Sequence, residues 1–109
     1  MKAFELEDVR AQRARRNEAY DEFLRVPSMS LGVYHIAAGA VDPQAPHSED
    51  EVYVVLEGEA TVRVGTEDRR IRSSSVVYVA AGVEHRFHSI TQALTVLVYF
   101  APAEGTRRA

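Results

Sequence analysis

At 109 residues the chain is sized for one domain that can bury a core without cross-links, and the absence of cysteine excludes disulfides, iron–sulfur clusters and thiolate zinc sites. A formal charge of -3 gives no general attraction for nucleic acid. Met1 to Phe4 runs straight into Glu5, Glu7 and Asp8 without the apolar core of a signal peptide, and no apolar run approaches the ~20 residues that span a bilayer. A cytoplasmic protein with neither nucleic-acid nor membrane partners is expected.

Residues 4–16 carry acidic side chains early and Arg10, Arg13, Arg15 and Arg16 late, the order that suits a helix dipole, and Asn17 can end the helix. The arginines read as its solvated face. Its apolar content is thin, with Phe4, Leu6 and Val9 the candidates to pack. Tyr20, Glu22, Leu24 and Val26 alternate onto one face of a strand that Pro27-Ser28 turns. In Met29–Ile36, Leu31, Val33 and His35 oppose Gly32, Tyr34 and Ile36; His35 reads as an ordinary strand histidine bonded to a neighbour in preference to the wall of a pocket. Residues 37–46, rich in small residues and proline, form a loop because proline lacks the amide donor a ladder needs.

His47 and Glu51 stand four residues apart at the head of a β-branched run, Val52 to Leu56, which Glu57-Gly58-Glu59 is expected to close as a tight turn. If the segment is extended, His47, Glu49 and Glu51 share a strand face, so either carboxylate could reach a common site. Ala60 to Val64, a turn at residues 65–68 and Arg69 to Arg72 continue as a meander. Ser73 to Ser75 is a turn, since no glycine-flanked serine elbow accompanies it. After Val76–Val79, a small-residue turn at 80–82 leads into one strand from His85 to about Ser89 and another from Leu94 to Phe100. His88 faces away from His85. The division expected is a helical segment at 1–19, a barrel at 20–102 and a mobile polar tail at 103–109.

Set side by side, the two histidine-led strands would bring His47, Glu51 and His85 to one point, a donor set suited to a metal. At these residues the chain resembles the cupins, small antiparallel double-stranded β-helix barrels. Their first motif runs His-x-His, three or four residues, Glu, six residues, Gly. Here His47, Glu51 and Gly58 keep the spacing, and Ala45 stands where the first histidine belongs. The second runs Gly, five residues, Pro-x-Gly, two residues, His. Here Ser74 and Ala80 replace the glycine and proline, while Gly82 and His85 remain. Pro43 to Glu51 is most similar to small single-domain cupins reading Pro-Gln-x-Pro-His-x-Glu-Asp-Glu. The resemblance covers roughly residues 20–102.

It implies an all-β barrel holding one divalent metal ion (Fe, Mn, Ni or Zn) through His47, Glu51 and His85, and it selects Glu51 over Glu49, which leaves Glu49 and Asp50 as surface residues. Either the triad leaves open positions, or Gln44 supplies a weak fourth ligand; a third reading has these residues merely hydrogen-bonding across a polar cavity. Tyr53 and Val55 would line the site, with Tyr34, His35, Tyr53 and Tyr78 as candidate proton donors. The expected function is binding or transforming a small organic molecule, by dioxygenase, isomerase or decarboxylase-type chemistry. The alternative is a non-catalytic ligand-binding or sensing module. Outward Val52, Val54 and Leu56, and a last strand apolar on both faces, predict a homodimer that covers them.

Overall fold

Helix α1 (Leu6–Arg16) has Glu7 and Asp8 in its first turn and Arg13, Arg15 and Arg16 in its last. Asn17 closes it in the left-handed conformation, with its amide donating to Ala14. These elements come from a computed structural model that describes residues 1–43 and 46–106. Six strands follow: β1 (Tyr20–Val26), β2 (Met29–Ile36), β3 (Asp50–Val64), β4 (Glu67–Arg72), β5 (Val76–Val79) and β6 (His85–Ala101). All pair antiparallel, in the order β1-β2-β6-β3-β4, with β5 also on β3. This is the expected all-β double-stranded β-helix with a short N-terminal helix. No helix among the described residues is long and apolar enough to cross a membrane.

Gly58 departs from expectation. The tight turn expected at Glu57–Glu59 is instead the middle of β3, which runs through it for 15 residues. Gly58 has φ +101°, and a side chain there would meet the Ala93 carbonyl oxygen at 2.2 Å. Glycine permits both the torsion and the approach. The pairing of β3 with β6 shifts register around this point, and the buried set changes from Glu51, Tyr53 and Val55 to Ala60 and Val62. The site therefore sits in one half of a continuous bent strand. The two strands expected from His85 and from Leu94 are likewise one, β6, with a positive φ at Ser89 and a buried set that passes from His85 and Phe87 to Ile90 and Leu94.

A second irregularity lies in β1, where a bulge between Glu22 and Leu24 breaks the single face expected for Tyr20 to Val26. Tyr20 pairs with Tyr34 and Glu22 with Gly32, whereas Leu24 and Val26 pair with Leu31 and Met29 on the opposite face. The main core inside the barrel gathers Tyr53, Val55, Val62, Phe87, Leu94, Val96, Val98 and Phe100. A smaller cluster outside joins Val9 of α1 to Val33 and Leu97, with Phe23, Val54 and Leu56 against it. Helix α1 thus covers part of the face that sequence alone had assigned to a partner subunit.

Candidate functional site

Two backbone anchors bring the histidine-led segments together. The Gly82 amide donates to the His47 carbonyl at 2.7 Å, and the Ala81 amide donates to the Asp50 carboxylate at 2.9 Å. Gly82 adopts φ +78°, which suits glycine. Glu51 enters the barrel from β3 and His85 from the start of β6, both buried, while His47 is half-buried at the rim. One ligand-capable atom from each of the three lies within 4.8 Å of the others.

The chemistry is set by the orientation of the rings. His85 Nδ1 lies 2.9 Å from the Val83 carbonyl, which can only accept, so Nδ1 carries a proton. In a neutral ring Nε2 then offers a lone pair. Glu51 Oε1 lies 2.9 Å from that Nε2, yet the approach is too poorly aligned to be a hydrogen bond, and neither atom has a hydrogen-bond partner among the described residues. Two acceptors at this distance repel unless a proton or a cation lies between them. Burial pushes the His85 pKa down, but the Glu51 carboxylate and the Val83 carbonyl outweigh it and raise the pKa overall. His47 Nε2 approaches the other Glu51 oxygen at 4.0 Å. The His85 and Glu51 atoms, buried and not hydrogen-bonded, converge with half-buried His47, so this donor set fits a divalent ion.

Beside the triad is a cavity of about 170 Å³, lined by Tyr20, Tyr34, His47, Glu51, Tyr53, Val98, Phe100 and Glu104. At ~30 Å³ per water, that is room for about five or six waters or one small molecule. The Phe100 ring packs edge-on against His47, with centroids 4.8 Å apart. Tyr34 donates to Asp42 at 2.8 Å, and the other Asp42 oxygen accepts the Phe87 amide, also at 2.8 Å. Burial and the Asp42 bond push the Tyr34 pKa up. Tyr20 stands over Gly32, where a side chain would meet its ring at 2.2 Å. Its buried hydroxyl has no partner among the described residues, and burial, then the charges of Glu104, Glu22 and Glu51, hold it protonated.

Of the expected site residues, His47, Glu51 and His85 come together, with Tyr34 and Tyr53 beside them. Gln44 lies outside the described residues. His35, a candidate proton donor, does not line the cavity; its Nδ1 meets Thr95 Oγ1 at 3.0 Å, the alternative of an ordinary strand histidine bonded to a neighbour. Tyr78 is exposed and donates to Asp50. His88 pairs with Asp68 away from the site, as expected. Glu49 is a correction. Read as a surface residue, it is 1% exposed, and its carboxylate accepts from Ser48 and from the Gly105 amide. Alternation from the buried Glu51 turns Glu49 inward as well, where its carboxylate meets the Gly105 amide; it was the family pattern, which selects Glu51 alone, that left Glu49 outside. Sequence reasoning missed Asp42, Tyr20 and Glu104. Tyr20 had a signal, an aromatic opening the first strand, whereas Glu104 follows Pro102 with none.

A family model described as "Cupin domain" matches residues 32–101. A Streptomyces coelicolor protein, "Uncharacterized protein SCO3923", is 50% identical over 105 residues, covering 96% of this chain and all of that protein. Among solved structures, TT1209 from Thermus thermophilus superposes with a TM-score of 0.73 at 22% identity, covering 94% of this chain and 99% of that one. The DMSP lyase DddQ from Ruegeria pomeroyi DSS-3 gives 0.71 at 21% identity, over 88% of this chain and 52% of that one. The Schizosaccharomyces pombe Cnp3 cupin domain gives 0.70 at 22%, over 76% and 63%. These structural likenesses show a shared fold. With the family match over most of its length, the chain belongs to the cupin family.

Proposed function

We propose that this cupin binds one divalent metal ion through His47, Glu51 and His85 and offers it to a small oxygen-bearing organic molecule in the tyrosine-lined cavity. The observation that carries the reading is the buried facing pair, His85 Nε2 and Glu51 Oε1, 2.9 Å apart and both without a hydrogen-bond partner among the described residues. When bound, the metal would supply a Lewis acid. The chain's own part is to hold the ligand's apolar body against Val98 and Phe100, and to donate a hydrogen bond to a ligand oxygen from the Tyr20 hydroxyl.

Elemental analysis of the wild type and of His47→Ala, Glu51→Ala and His85→Ala tests the metal. Wild-type protein should hold close to one ion per chain and each variant much less; equal content in all four would end this reading. A thermal-shift screen of small carboxylates and carbonyl compounds, with recovery of the ligand, then separates the functions. Chemical change in the recovered ligand marks an enzyme, and an unaltered ligand marks a binding or sensing module.

The homodimer is proposed on a specific surface. Met29, Val76, Tyr78 and Tyr99 are 40%, 67%, 61% and 36% exposed, and Val52 pairs across to both tyrosines on the outer face. Helix α1 does not complete this face as it does around Val54. Light scattering at micromolar concentration should give twice the 12.1 kDa chain mass, and Tyr78→Lys should halve it. A wild-type monomer would refute the dimer.

A further inference from the structure

We infer that Glu104, beyond the last strand, is the residue that orients His47 for metal binding; this rests on the metal reading above. Its side-chain oxygen Oε2 lies 3.5 Å from His47 Nδ1. The two histidines are then arranged alike: each turns Nδ1 toward an oxygen acceptor and Nε2 toward Glu51. At His85 the Val83 carbonyl is bonded at 2.9 Å; at His47 the buried Nδ1 has no hydrogen-bond partner among the described residues, and the Glu104 carboxylate is the acceptor within reach of it. A proton held at Nδ1 leaves Nε2 with the lone pair a metal needs, and a carboxylate in that place also makes the ring more basic.

The segment that delivers Glu104 is tied down by its backbone. The Ala103 amide faces the Pro27 carbonyl at 3.4 Å, the Glu104 amide donates to Ser30 Oγ at 3.0 Å, and the Gly105 amide donates to Glu49 at 2.9 Å. The Glu104 carbonyl accepts from Arg25 at 2.7 Å. Ala103, Ser30 and Glu49 are all buried. Glu49 belongs to the same rim segment as His47, so its carboxylate fastens the histidine's own loop to the strap that carries Glu104. All four contacts are made by backbone atoms of the strap, and the Glu104 side chain is delivered toward His47 and the cavity. Charge supports the same role. With both histidines neutral, Glu51 and Glu104 supply two negative charges, which balance a divalent ion.

The test uses full-length protein stripped with a chelator and titrated with Zn(II) against a chromophoric competitor. Losing an outer carboxylate of this kind costs about 10–100-fold in metal affinity, and Glu104→Ala should fall in that range while metal-free thermal stability stays at the wild-type value. Glu104→Gln, whose amide oxygen can accept from Nδ1 from the same place, should recover most of the loss. Wild-type affinity in Glu104→Ala would overturn the inference while leaving the metal site standing. Equal loss in the alanine and glutamine variants, with an altered Co(II) absorption spectrum, would make Glu104 a direct ligand and overturn the positioning role. Failure of wild-type protein to bind Zn(II) or Co(II) would overturn the metal reading and this inference with it.

Discussion

Replacing Tyr20 by phenylalanine should stabilise the ligand-free protein while weakening its hold on a ligand. The Tyr20 hydroxyl is buried without a partner among the described residues, and an unsatisfied buried polar group costs about 1–3 kcal/mol. Because the ring sits where Gly32 has no side chain, phenylalanine can occupy the same space without repacking. Removing the oxygen should therefore raise stability by about 1 kcal/mol or more, read as an upward shift of the urea midpoint or a Tm gain of about 4 °C. A ligand oxygen that accepts from Tyr20 would lose a neutral hydrogen bond of ~0.5–1.5 kcal/mol, weakening binding about 2- to 13-fold. The hydroxyl is held protonated by burial and by neighbouring carboxylates, so this deficit should not change with pH near neutrality. If Tyr20→Phe instead lowered stability by about 1 kcal/mol or more, the hydroxyl would have to be paired in the folded protein, and the argument for a ligand donor would fall.

Gly58→Ala should cost about 2–5 kcal/mol in urea unfolding, because a side chain there both collides with the Ala93 carbonyl and strains a positive φ; a loss below about 1 kcal/mol would mean the bend relaxes easily. Asp42→Ala removes the acceptor for both the Tyr34 hydroxyl and the Phe87 amide and should cost about 2–4 kcal/mol, whereas Asp42→Asn, which can still bond both groups, should cost much less. In chelator-treated protein, His85 is raised in the folded state above its unfolded value of ~6.5, so its contribution is fully present below that pH and is lost as pH rises through the folded pKa. The stability difference between wild type and His85→Gln should therefore shrink from about pH 6 toward alkaline pH, and a difference that grew would show that the sign is wrong.

Several features of the fold could be read because they are periodic. The apolar alternation of β2, the charge order of α1 and the β-branched run from Val52 each leave a pattern that local chemistry enforces. Bulges leave none. At Gly58, at Glu22 to Leu24 and near Ser89 the chain changes which parity faces inward, and in each case the evidence lies on a neighbouring strand. A glycine flanked by two glutamates looks the same from sequence whether it turns a hairpin or bends a strand against another carbonyl. Cover for Val54 and Leu56 was misjudged for a related reason: only Val9 of α1 is deeply buried, and its worth comes from landing beside Val33 and Leu97.

The site shows the same division. His47, Glu51 and His85 were legible because fixed spacings from Gly58 and Gly82 place them on adjoining elements. Glu49, Asp42, Tyr20 and Glu104 were not, since each acts across a long sequence separation: Asp42 reaches the Phe87 amide, and Gly105 reaches Glu49. With Ala45 where a histidine would stand, the motif alone describes a depleted ligand set. The packed chain adds what spacing cannot, a second carboxylate 3.5 Å from His47, carried on residues 103–106. Because Glu104 acts through His47 Nδ1 and not on the ion, it leaves the donor atoms as two imidazole nitrogens and the Glu51 carboxylate. Mn(II) and Zn(II) should therefore both bind more weakly in Glu104→Ala, by similar factors. Competition titration with the two ions on one preparation reads this directly. A Mn(II) to Zn(II) affinity ratio that moved toward Zn(II) in Glu104→Ala would show that a Glu104 oxygen is itself a donor to the ion, since oxygen donors favour Mn(II) relative to softer ions, and would overturn the positioning role.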